Sequence, residues 1–183
     1  GQPNTCFRKL LNNEAPDPRM RDAELLLRFY ALKNRLDRAY NGNLKDLLDG
    51  TCEYFNQSWQ QNEPLLRDQL AEMNNAYDFA VDSFGEINPF CKYDPVGTKN
   101  IFNRAIFDFI IYYFSDPKIR HDLSVKVDYK ALLQDSFKNL FNDADFVTSI
   151  STSTKNKIEF SRRMNAWAAV LSAILGYAVE SPL

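Results

Sequence analysis

NIFNRAIFDFIIYYF, residues 100–114, is the stretch that decides the fold. From Ala105 to Phe114 it is apolar on every side of a helical wheel, broken only by Asp108. A helix with no face for water belongs inside a domain, with other helices wrapped around it. The run is also well short of the ~20 residues that a membrane span requires.

Helical periodicity continues on both sides. Upstream, a short helix is expected over Cys6–Asn12, then the polar loop NNEAPDP. Asp17 is placed to cap the next helix, with Pro18 at its first position, where a missing N–H costs nothing. That helix should reach Tyr40 and stop at YNGN. Further helices are expected over Leu44–Trp59 and Pro64–Phe84, the latter with Glu63 at its start and Gly85 as its stop. Glu86–Thr98, with two prolines and a glycine, reads as an ordered loop.

Downstream, helices are expected over Tyr129–Phe141 and Ala144–Ile150. STSTKNK then supplies caps for a last helix reaching Gly176, in which Phe160, Met164, Trp167, Leu171 and Ile174 form one stripe. There is no hairpin signal, repeat or low-complexity segment. The expected fold is all-α: a single helical domain over residues 1–183, an irregular bundle of about seven or eight helices around the central apolar one.

Composition agrees. The 183 residues are 45% hydrophobic and 14% aromatic, which excludes a disordered chain, and 6 glycines are too few for a turn-dense sandwich or barrel. A net charge of -2 means that any nucleic-acid binding must come from a local patch. Three cysteines without paired spacing and a lone His121 make no zinc pattern, so no metal and no cofactor is expected. With no basic-then-apolar leader, the chain reads as cytoplasmic and without membrane contact.

One helix carries more charge than a core element needs. On Arg19–Tyr40, Arg21, Glu24, Arg28, Arg35 and Arg38 share one stripe, while leucines and aromatics fill the rest. The strip must meet water, carboxylates or an anion. It reads either as a solvated face bridged to Asp46, Asp49 or Glu53, or as a seam that docks a phosphate backbone or another domain. A second basic group, Lys155, Lys157, Arg162 and Arg163, opens the last helix, where like charges oppose the helix dipole unless an anion compensates. Asp143 and Asp145 are its nearest acidic neighbours. No catalytic residue stands out, since GxxxxGK[ST], GxSxG, HExxH and paired CxxC are all missing.

The runs FRKLLNNEAPDPRMRDAELLLRFYAL and YNGNLKDLLDGTCEYFN resemble the C-terminal half of the GmrSD-type family, prokaryotic domains of modification-dependent restriction and phage-defence systems. Arg19, Met20, Asp22, Glu24, Leu25, Leu27, Arg28 and Phe29 match its Arg-Met-x-Asp-x-Glu-Leu-x-Leu-Arg-Phe helix. Tyr40, Gly42, Leu44, Lys45 and Leu48 match its Tyr-x-Gly-x-Leu-Lys-x-x-Leu segment. NIFNRAIFD and STSTKNKIEFSRRMNAW are similar to two later elements. The resemblance implies structural roles for Arg19, Asp22, Glu24 and Arg28.

It further implies an N-terminal ParB- or sulfiredoxin-like domain with an Asp-Gly-Gln-Gln-Arg motif, and a nuclease module with a His-centred metal site. Neither motif is in this chain: Asp49 and Gly50 are followed by Thr51 and Cys52, and His121 stands alone. The expectation is therefore a non-catalytic helical fragment. It would support the nucleotide-binding domain of an NTP-dependent DNA endonuclease, contacting DNA through the basic residues. A self-contained protein-interaction module, with homo-oligomerisation left open, is the alternative.

Overall fold

The computed structural model describes residues 5–11, 17–36, 40–96, 101–152 and 156–183. Among these it contains nine α-helices: α1 (Thr5–Leu11), α2 (Arg21–Asn34), α3 (Leu44–Gln57), α4 (Trp59–Phe84), α5 (Arg104–Phe114), α6 (Pro117–Ser124), α7 (Tyr129–Leu140), α8 (Ala144–Ser151) and α9 (Lys157–Leu175). No strand occurs among the described residues, only an isolated bridge between Cys91 and Phe102. The all-α expectation holds, with one helix more than the periodicity resolved. That extra helix, α6, is announced by Asp116, whose carboxylate accepts the Lys118 N–H, and by Pro117 in its first turn.

α5 is the central element. Every residue from Ala105 to Phe114 except Tyr112 is buried, and α2, α4, α6 and α9 pack around it. α9 closes the other side. Its stripe enters the core through Phe160, Met164, Trp167 and Leu171, with Ile174 partly buried beside them. Trp167 is the hub, its ring meeting those of Phe84, Phe109, Phe114 and Phe137. Aromatic contacts of this kind add ~0.5–1.5 kcal/mol each beyond the burial of their area. Among the described residues no helix is long and apolar enough to cross a membrane.

Two helix starts differ from expectation, each for a local reason. Asp17 does not cap α2. Its carboxylate closes a tight turn by accepting the Arg19 N–H at 2.8 Å and binds Arg21 Nε at 2.7 Å. Met20 takes a left-handed conformation (φ 54°), and the helix begins four residues after Asp17. Asp22 Oδ2 holds the other side of that turn through the Asp17 N–H. α4 begins at Trp59 rather than Pro64, because Ser58 alone breaks the line between α3 and α4. Pro64 fits a helical φ and forfeits only the hydrogen bond to Gln60, while Glu63 pairs with Arg67 at 2.6 Å instead of marking the start. The stops at Gly85 and Gly176 are where they were expected, both at positive φ.

Candidate functional site

Asp108 is the lone carboxylate of the central helix, and 3% of it is exposed. Buried this deeply, it needs a partner. Arg28 of α2 supplies one across 80 residues of chain: Nε donates to Oδ1 at 3.0 Å and Nη2 donates to Oδ2. Both carboxylate oxygens are thus engaged by a planar fork. Burial works against the charge on Arg28. The facing Asp108 charge and its hydrogen bonds outweigh that cost, so the guanidinium titrates above its ordinary value.

Arg163 of α9 feels the charges of the same pair and is 1% exposed. Its Nη1 donates to the Ser149 carbonyl at 3.1 Å, and its guanidinium lies 4.5 Å from the Phe160 ring centroid. Its Nε is buried without a hydrogen-bond partner among the described residues. Burial draws the Arg163 pKa down to about 10, with Asp108 resisting and Arg28 adding repulsion. Tyr40 completes the cluster, 6% exposed with its ring edge-on to Phe160. Burial pushes its hydroxyl upward, while Arg163 and Arg28 pull the other way.

Outside this buried group lies a cleft of about 520 Å³, lined by Glu24 and Arg28 from α2, Lys45 and Asp49 from α3, and Phe102, Asn103 and Arg104 at the start of α5. Asn103 builds the corner. Its Oδ1 accepts the N–H groups of Ala105 and Ile106, capping α5, and its Nδ2 donates to the Ile150 carbonyl at 2.8 Å. Glu24 lies 3.8 Å from Arg28 Nη1 and 3.4 Å from Arg104 Nε, and Lys45 pairs with Asp49 at 2.7 Å.

The arginines that share a stripe on the wheel part company in space. Arg21, exposed, turns back to Asp17 at 2.5 Å. Arg28 points inward to Asp108. Arg35 lies over the Tyr54 ring at 4.6 Å, its Nε buried without a hydrogen-bond partner among the described residues. Arg38 lies outside the described residues, as does Lys155. The strip is therefore not one solvated face, and among the described residues the carboxylates its arginines meet are Asp17, Asp108 and Glu24.

The second basic group divides too. Lys157 is exposed. Arg162 bridges Glu159 at 3.0 Å and reaches Asp145 at 3.9 Å. Arg163 is interior, so it has no surface to offer a phosphate backbone. Its place follows from the helical period: Phe160, Met164 and Trp167 face the core, and Arg163 falls on the same side. Of the four motif residues, Arg19 is exposed and gives its backbone N–H to Asp17. Asp22 ties the turn, and Glu24 and Arg28 wall the cleft.

Asp108 and Arg104 were not singled out from sequence. The signal for Asp108 was present, since a single carboxylate on an all-apolar helix demands a buried cation. Arg104 carries no such mark. Among the described residues no group of three His, Cys, Asp or Glu side chains gathers as a metal site would need. His121 is exposed at the surface. Comparison with protein-family models, curated proteins and solved structures finds no match for this chain.

Proposed function

We propose that the chain is the helical, non-catalytic domain of a GmrSD-like restriction or anti-phage defence protein of the cytoplasm. In this role it braces an adjacent nucleotide-binding or nuclease domain and offers its exposed basic side chains to DNA. One observation carries the reading. The stretches that resemble the family, although far apart in sequence, converge on a single place: Glu24 and Arg28, then Tyr40 and Lys45, then Asn103, Arg104 and Asp108, then Arg163. Arg28 satisfies the buried Asp108, and the others stand around that pair or line the cleft beside it.

The chemistry of the cluster suits bracing. Asp108 has both oxygens committed to Arg28, so it is a poor general base. Among the exposed cations that could meet a phosphate backbone are Arg21, Lys45, Arg104 and Lys157, with Arg162 half-buried. The alternative, a self-contained interaction module, draws on Trp59 and Leu65, which stand 50% and 46% exposed on α4.

A mobility-shift titration with duplex DNA from 50 to 200 mM salt separates the two. Phosphate contacts give an affinity that falls steeply with salt. A flat response together with a concentration-dependent dimer in sedimentation supports the module. The reading frame that encodes the chain should carry an Asp-Gly-Gln-Gln-Arg domain upstream, and its absence there removes the defence-protein reading. Turnover of ATP or cleavage of DNA by the isolated chain overturns the non-catalytic role.

A further inference from the structure

Three cationic side chains, Arg28, Lys45 and Arg104, meet at the cleft beside α5. Its volume of about 520 Å³ falls within the range of small-molecule sites. The carboxylates that share its wall leave these cations open to competition. Asp49 takes Lys45 on open surface, where water competes with the pair. Glu24 is divided between Arg28 and Arg104 at 3.8 and 3.4 Å, both longer than a good charge-assisted hydrogen bond.

Arg28 gives the site its rigidity. Two of its nitrogens are fixed on Asp108, and the third, Nη1, has no hydrogen-bond partner among the described residues. A guanidinium already held in place loses little freedom when it takes one more oxygen. The other walls are apolar: Leu44, Leu48 and Phe102, all partly buried. The α5 amides add nothing, because Asn103 already caps them.

We propose that this cleft binds a phosphorylated small molecule no larger than a mononucleotide. The phosphate sits between Arg28 Nη1 and Arg104, with Lys45 beside it, and the apolar part of the ligand lies against Leu44, Leu48 and Phe102. Three cations lining one cleft suit a dianion better than a single carboxylate. The proposal does not rest on the bracing role, which the DNA titration and turnover assays test separately.

The test is calorimetric titration of the whole chain with AMP, inorganic phosphate, adenosine and benzoate. AMP should bind more tightly than phosphate, and adenosine and benzoate should give no measurable heat. Arg104→Gln should weaken AMP binding about tenfold and Lys45→Gln about threefold, with unchanged circular dichroism. Glu24→Gln, which removes a competing carboxylate, should tighten it several-fold, a change of sign that general loss of fold cannot produce. Arg28 is left intact because it holds the core. No heat with AMP at millimolar concentration overturns the proposal. So do unchanged AMP affinity in both R104Q and K45Q, and benzoate or phosphate binding as tightly as AMP.

Discussion

Replacing Asp108 by Asn should be among the most damaging single-atom-scale changes this fold can suffer. Asn keeps the shape and one acceptor but removes the charge that Arg28 and Arg163 both face. Arg163 is 1% exposed and Arg28 7%, with its Asp108-facing nitrogens buried, so the atoms that lose the charge have no water to turn to. Breaking a buried pair by removing one partner costs about 3–5 kcal/mol. Against a total stability of about 5–15 kcal/mol, that is a large share. For a chain of this length it corresponds to a fall in Tm of roughly 6–20 °C.

Urea denaturation followed at 222 nm, with the slope compared between variants, measures it directly. The pair Arg28→Met with Asp108→Leu should recover much of the loss, because an apolar pair of similar volume removes both desolvation penalties. If Asp108→Asn lies within about 1 kcal/mol of the wild type at unchanged slope, then the Arg28–Asp108 pair does not hold α2 against α5, and the reasoning fails.

Arg163→Met should be neutral or stabilising, since Arg163 is buried with an unpartnered Nε beside a pair already neutralised without it; a loss above about 2 kcal/mol in the same urea assay would show that its contact with the Ser149 carbonyl outweighs its desolvation. Asn103→Ala removes the α5 cap and the tie to Ile150, and thermal denaturation should show a cost of about 1–2 kcal/mol. In a Cys6→Ser background, the exposed Cys52 should react promptly with iodoacetamide at pH 8. Cys91, 4% exposed and with its thiol pushed up to about 11 by burial, should react only on unfolding. Acid should expose the Asp17 turn. The side-chain hydrogen bond from Arg21 holds the Asp17 carboxyl below its ordinary 3.8. The stability it contributes is therefore present above that value and lost as pH falls through the lower folded pKa. Asp17→Asn should flatten the urea midpoint between pH 4 and lower values, and an unchanged acid slope would contradict this.

Much of the fold was legible because its signals are local. Capping side chains sit next to the helices they start: Asn103, Asp143 and Asn156 each accept an N–H two or three residues on, and Asp116 does the same for α6, the helix that periodicity alone did not resolve. The terminating glycines and the apolar period act over the same few residues. Where a local signal had two uses, the sequence misled. Asp17 reads as a cap, yet its oxygens serve a turn and Arg21. Glu63 reads as a start, yet it sits within α4. The site was less legible, because on a wheel Arg21, Arg28 and Arg35 are equivalent.

By itself the sequence determined the all-helical class, most helix positions and the identity of the buried central helix, since each follows from hydrogen bonding and burial within one stretch of chain. Only the tertiary structure decided which arginine became the core's counter-charge, which stacked on a tyrosine and which stayed on the surface. The same holds for the cleft: its walls come from residues that neighbour one another only after α2, α3 and α5 have packed. The reason is that a buried charge is satisfied by whatever lies across from it in space, and Asp108 lies 80 residues away along the chain from Arg28.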